Sequence, residues 1–304
     1  MTERRFDDDS TDARLCVAGL VYFEIFLPDE GLDVTPGEET FVERIDVGLG
    51  GALNPATVAA ALGIETTVAH PSGDGLTDDA VAAARDKLGI AALTWPAGDD
   101  PAISLIRSAD KERSFVSCAD RQALRNCPEL SVFDWLHIPG LEEAHQLAAQ
   151  IERARSTGVT VSVAGSWAPA RPDPLNEVTQ PIWDVLLLNG REARRATESC
   201  PSMAARARQL TDVANDVVVT DGLGAVHAAV GGCEYSFQVP PVENFVDATG
   251  AGDSFGAGYI AARLKNIEPE KALKFAISVA RLVVTQRGGL VDKPSRFNVL
   301  REQL

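Results

Sequence analysis

Basic residues are scarce in this chain of 304 residues. It has 28 Lys and Arg against 44 Asp and Glu, for a formal net charge of −16. That balance disfavours nucleic acid or an anionic membrane as the main partner. It also means that any phosphate site must be made locally, from backbone N–H groups and a few basic side chains. Metal-binding spacings are lacking too. There are only four His, with no HExxH, and the five cysteines form no CxxC. Those cysteines (Cys16, Cys118, Cys127, Cys200 and Cys233) are scattered and odd in number, which fits reduced thiols in the cytoplasm. A GxxxxGK[ST] segment is absent, which argues against a P-loop kinase. No stretch approaches the roughly 20 apolar residues that a membrane span needs. The first residues, 1–12, are charged and polar and lack the apolar core of a signal peptide; a disordered acidic extension is expected there. The length allows one large α/β domain or two modest ones, the single domain over 13–304 being the reading taken, and 45% hydrophobic residues can fill a substantial core.

The most informative stretch is Asp247-Ala248-Thr249-Gly250-Ala251-Gly252-Asp253-Ser254-Phe255. A segment of strand and loop character leads into it, and a small-residue apolar run leaves it. Gly250 and Gly252 permit positive φ and close backbone approach. A helix starting here aims unpaired N–H groups and the positive end of its dipole at the turn, which makes an anion site. Asp253 would sit inside that site. A carboxylate beside a bound phosphate suits the general base for a hydroxyl that attacks phosphorus. Two plainer readings compete. One is a glycine turn with an Asp cap. The other is a dinucleotide fingerprint on Gly250, Gly252 and Gly256, but that needs a βαβ unit and an acidic residue about 20 positions on. The pattern here is instead helix, a break at Asn266 to Pro269, then helix again.

Along the rest of the chain, strand and helix patterns alternate. A buried strand is expected from Arg14 into Gly19, followed by a mixed segment to Phe26; further strands are expected at Glu65 to His70, Ala91 to Trp95, Trp135 to Ile138, Val159 to Val163 and Asp184 to Asn189. Helices are expected at Asn54 to Gly63, Leu76 to Leu88, Leu141 to Ser156 and Glu270 to Arg287. Such alternation argues for a parallel sheet with helices on both faces. Two half-exposed stretches, near 39–47 and 102–118, do not fit it. The stretch 102–118 has the pattern of a hairpin.

The segment Asp247 to Phe255 resembles the C-terminal signature of the ribokinase-like (PfkB) family of carbohydrate and nucleoside kinases. Gly50-Gly51-Ala52-Leu53-Asn54-Pro55 resembles that family's first signature. The resemblance runs from about Arg14 to about Pro294 with motifs in the expected order. It implies a three-layer α/β fold, with a central mostly parallel sheet and a small β lid made from 39–47 and 102–118. It implies ATP-dependent phosphorylation of a hydroxyl on a sugar or sugar-like molecule; a nucleoside kinase or a non-catalytic binding protein of the same fold are the alternatives. Tyr22, Phe23 and Phe41 could stack a base in the nucleoside case.

The resemblance also carries residue roles. Asp253 would be the base, with the N–H groups of Gly250, Ala251 and Gly252 holding charge on the phosphoryl oxygens. Glu24 stands where the family has an Asp that bonds substrate hydroxyls. Gly50 and Gly51 would let backbone approach the sugar, and Asn54 would bond a hydroxyl, although an N-cap is its plainer reading. Asn189 and Glu192 match an N-x-x-E motif that helps organise Mg²⁺ and phosphate, and equally an ordinary capping arrangement. Thr220, Gly222 and Gly224 would line the nucleotide. The carbonyl of Asp247 would hold K⁺, as in some relatives. A homodimer through the lid is compatible with the pattern. Two departures stand out: Ser162 to Ser166 lacks a usual Asp, and the helix around Phe275 to Ala280 lacks an Asn common near the adenine.

Overall fold

A computed structural model describes residues 13–28, 35–98, 102–109, 112–166, 182–197, 199–291 and 293–304. The extension expected over 1–12 lies outside them. In chain order the strands are β1 (Arg14–Ala18), β2 (Val21–Leu27), β3 (Asp46–Gly51), β4 (Glu65–Ser72), β5 (Ala91–Pro96), β6 (Ile103–Ala109), β7 (Glu112–Cys118), β8 (Trp135–Ile138), β9 (Thr160–Ala164), β10 (Trp183–Asn189), β11 (Ala214–Thr220), β12 (Ala225–Val230) and β13 (Cys233–Gln238). The α-helices are α1 (Leu53–Ala61), α2 (Leu76–Leu88), α3 (Leu141–Gln146), α4 (Ala148–Ser156), α5 (Gly190–Ala196), α6 (Met203–Gln209), α7 (Ala251–Leu264), α8 (Pro269–Val283) and α9 (Asn298–Arg301).

Nine strands form one sheet in the order β13-β12-β11-β10-β9-β8-β1-β4-β5. From β11 to β5 every neighbour is parallel; β12 and β13 run antiparallel at one edge. Strand residues alternate between two cores, as a sheet covered on both faces requires. Leu15, Val17, Val185 and Leu187 pack with α1, α2, α7 and α8. Cys16, Ala18, Leu186 and Leu188 pack with α3 to α6. After β1 the chain builds one side of the sheet through β4 and β5; from β8 it builds the other. The order therefore reverses beside β1 and β8. Open α/β sheets bind ligands at such a point, beyond the carboxyl ends of the strands. Among the described residues no helix is long and apolar enough to cross a membrane.

Four strands form another, smaller sheet in the order β3-β2-β6-β7. The strand expected to run into Gly19 is β1, and the mixed segment expected after it is a second strand, β2, which leaves for the small sheet. One expectation changes here. The strand expected over 39–47 lies instead at Asp46–Gly51, running through the glycines expected to end it. Glycine in a strand marks close approach by another group. That is the case here: a Cβ on Gly50 would overlap the Glu24 carboxylate, and one on Gly48 would stand 3.2 Å from the Phe26 ring. The helix expected over Leu141 to Ser156 is two helices, divided at Leu147.

Candidate active site

Gly250 sits at the start of α7 with φ 72° and no side chain capping the helix. A Cβ here would be conformationally strained and would overlap Gly289 Cα. Gly289 answers in kind, since a Cβ on it would lie 2.9 Å from Gly250 Cα and 3.0 Å from the Asn54 amide. The turn is held by Asp247. Its carboxylate accepts from Thr249 N and Oγ1 at 2.9 Å and from Gly288 N at 2.8 Å. The expected cation-binding carbonyl therefore belongs to a residue whose side chain already ties two glycine-bearing segments together.

The Gly250 and Gly252 amides have no acceptor among the described residues, and open space lies where a Cβ on Gly252 would stand. Ala251 departs from the expectation: its N–H donates to Ala248 O at 3.1 Å, closing the turn. Asp253 lies in the first turn of α7, half-buried, and its Oδ2 accepts from Asn54 Nδ2 at 3.1 Å. Burial pushes its carboxyl up to about 6; the Asn54 bond opposes that rise, and the charge of Glu192 adds to it.

Asn54 is not an N-cap. It lies within α1, whose cap is Ala52. It is 5% exposed, with Nδ2 on Asp253 and a buried Oδ1 that has no partner among the described residues. Such an orphan acceptor costs stability unless a ligand donor meets it. A hydroxyl is the right kind of donor. Glu24 is buried, and its carboxylate lies over the Gly50 backbone. Gly51 has φ 66°, and a Cβ there would overlap Leu20 O. These glycines therefore keep the root of the small sheet narrow. Of the three aromatics that could stack a base, Phe23 packs on the core and Phe41 is 85% exposed. Tyr22 is half-buried and packs against the other core, with Arg121 and Glu143 near its hydroxyl.

Asn189 and Thr220 are register partners at the carboxyl ends of β10 and β11. Asn189 Oδ1 accepts from Arg191 N and Glu192 N at 2.9 and 3.0 Å, and Glu192 Oε2 accepts from Asn189 N at 2.8 Å. This is a full capping box. Glu192 Oε1 also accepts from Ser166 N at 2.9 Å, and its carboxylate fills the place of a side chain at Gly165. The segment that lacks the usual Asp thus makes room for Glu192 instead. Beyond β11, Gly222 has φ 57° and open space around its Cβ position, while Gly224 N bonds Asp221 O at 3.0 Å.

The bare amides of Gly250 and Gly252, with open backbone at Gly222, suit phosphate oxygens. Among the described residues no cluster of three His, Cys, Asp or Glu could hold a metal unaided. A Mg²⁺ near Glu192 would complete its shell with phosphate and water, which is its habit.

Three groups escape sequence reasoning. Glu143 and Arg121 sit in no motif, and Gly289 reads only as a helix end.

Residues 12–296 match the pfkB family of carbohydrate kinases. The chain belongs to that family. Over 192 residues it is 28% identical to 2-dehydro-3-deoxygluconokinase of Escherichia coli, covering 57% of this chain and 61% of that one. Over 294 residues it is 26% identical to the ATP-dependent ribose-1-phosphate kinase of Halopiger xanaduensis, covering 90% and 93%. Ribokinase from Cryptococcus neoformans, solved in complex with ADP, superposes with a TM-score of 0.78 over 97% of this chain and 100% of that one. At 20% identity that likeness shows the fold alone.

Proposed function

We propose that this chain transfers the γ-phosphoryl group of ATP to a hydroxyl of a sugar or sugar-like acceptor, with 13–304 acting as one kinase unit. The observation that carries the reading is the pair Asp253 and Asn54 at the open start of α7. Asp253, easier to protonate than an ordinary carboxyl, takes the proton from the attacking hydroxyl. Asn54 orients it and offers its spare oxygen to the acceptor. The Gly250 and Gly252 amides face the charge on the transferring group; each such donor contributes about 3–4 kcal/mol at the high end. Glu24 binds an acceptor hydroxyl from the small sheet. Asn189, Thr220, Gly222 and Gly224 line the nucleotide, and Glu192 orients the waters of Mg²⁺. Mg²⁺ supplies charge neutralisation on the phosphates when bound. K⁺ at the Asp247 carbonyl would steady the same turn. The free cysteines support a cytoplasmic setting.

The small sheet acts as a lid and as a contact between two copies. Val47, Ile25, Leu105 and Val116 are direct cross-strand partners, so they form one apolar row across all four strands. Val47 and Val116 are 63% and 70% exposed. Covering such a row in a second copy removes it from water. Leu105→Asp is expected to yield monomers in analytical ultracentrifugation; a wild-type monomer contradicts the contact.

A coupled ADP-release screen with Mg²⁺-ATP tests the main reading. The acceptors are D-ribose, ribose 1-phosphate, 2-dehydro-3-deoxygluconate, hexoses and nucleosides. Acceptor-dependent ADP release supports it. ATP binding with no transfer to any acceptor contradicts it.

A further inference from the structure

Glu143 belongs to no motif and has no part in the chemistry above. It lies in α3, just past the carboxyl end of β8, where the order of the large sheet reverses. Its Oε1 accepts from Leu20 N at 2.8 Å. Leu20 lies between β1 and β2, the point where the chain leaves the large sheet for the small one. The other side of the same residue is also engaged, because Leu20 O accepts from Ala52 N at 2.9 Å. Ala52 caps α1, α1 carries Asn54, and Asn54 holds Asp253. A short series of bonds thus joins Glu143 to the base. The other carboxylate oxygen is closely confined: a Cβ on Gly19 would come within 2.9 Å of Oε2, and one on Gly140 within 3.1 Å. Both glycines leave room for this one side chain.

We propose that Glu143 is a positioning residue for phosphoryl transfer, clamping the Leu20 peptide so that the root of the small sheet, Asn54 and Asp253 keep their mutual geometry. The proposal rests on the kinase reading. Its electrostatics agree with the placement. The charged and titratable groups facing Glu143 are Arg121, Tyr22 from β2, Asp253 from α7 and its own neighbour Glu142. Burial raises its carboxyl to about 7, against the lowering effects of the Leu20 bond and Arg121, with Asp253 and Glu142 adding to the rise. Near neutral pH the side chain therefore exchanges its charge beside the base, while Arg121 is occupied by Glu142 at 2.5 Å.

The test uses the whole chain and the variants E143Q and E143A. Gln keeps an oxygen for Leu20 N and lacks the charge; Ala lacks both. Hydrogen exchange needs no acceptor. E143A is expected to speed exchange at least tenfold in peptides covering residues 19–24 and 51–56, with β10 and β11 unchanged, and E143Q to restore most of the protection. Kinetics use whichever acceptor of the ADP-release screen above (D-ribose, ribose 1-phosphate, 2-dehydro-3-deoxygluconate, hexoses and nucleosides) the wild type phosphorylates. E143A should lower kcat/KM for that acceptor at least tenfold while KM for ATP stays within twofold. E143Q should stay within threefold of wild type at pH 6 and lose an ionisation near pH 7 from the pH profile. Unchanged exchange in E143A overturns the proposal. So does faster exchange with kcat/KM and pH profile untouched, which would mark a purely structural bond. A wild type that binds ATP but phosphorylates no acceptor of that screen contradicts the kinase reading itself and is recognised as such before any variant is compared.

Discussion

Two helices, α5 and α7, begin near enough for the charge of Glu192 to act on Asp253, and they begin differently. At α5, Asn189 and Glu192 close the helix start on itself, each side chain meeting the other's backbone N–H. At α7 no side chain caps the start. Its N-cap is a left-handed glycine, and the carboxylate of its first turn points away from the helix, toward Asn54 on α1. The α5 arrangement spends its polar groups on local stability. Among the described residues the α7 arrangement leaves the Gly250 and Gly252 amides unmet, and it keeps a carboxyl in a place that opposes its ionisation. A helix start that gives up its cap and bears an unfavourable charge points to a ligand that supplies the missing partners.

The contrast can be broken from either side. The largest effect is expected from Gly250→Ala. It forces a Cβ into positive φ and onto Gly289, at a cost of roughly 1–3 kcal/mol in stability. It also displaces the donors, so kcat should fall by about 10²-fold or more. Denaturant melts and initial rates measure both, and unchanged kinetics would show that the turn tolerates movement. Glu192→Gln has a smaller effect, read in the pH profile. The negative charge of Glu192 raises the Asp253 carboxyl, so neutralising it lets Asp253 ionise at lower pH. The acid limb of the pH–kcat/KM profile should therefore move down from about 6, and an unmoved limb separates the two helix starts electrostatically. Asn189→Ala should have the mildest effect, about 1 kcal/mol of lost stability with a few-fold rise in KM for ATP. A larger loss of kcat than of stability would mean that the α5 start also serves the chemistry.

Much of this arrangement is legible in the chain. The helix Leu76–Leu88 is found where its pattern places it, and Asp247 to Phe255 announces the start of α7 through its glycines alone. Asn54 shows the limit of local reading. An Asn before Pro has the pattern of a cap, but α1 begins at Leu53, so the side chain is free to reach a residue 199 positions away. The strand β3 is hidden by its glycines, whose purpose is visible only when Glu24 and Phe26 are found lying over them. Glu143 is hidden for a similar reason. Its partner is a backbone amide 123 positions earlier, and no spacing within α3 signals that bond. Contacts between distant segments escape a reading based on periodicity and spacing.

Asp253→Asn tests the central claim most directly, with turnover, ATP binding and thermal stability measured on the same preparation. The base role predicts a loss of kcat of at least about 10²–10⁴-fold with ATP affinity nearly intact. Stability should move the other way. Folding raises the carboxyl from an ordinary 3.8 to about 6, so its favourable contribution to stability is present below 3.8 and lost as pH rises through 6. An amide lacks that ionisation, and the variant should melt higher than wild type at pH 7.5. Retention of most of the activity, or a lower melting temperature with activity kept, would contradict the assignment of Asp253 as the base in an uncapped, ligand-completed helix start.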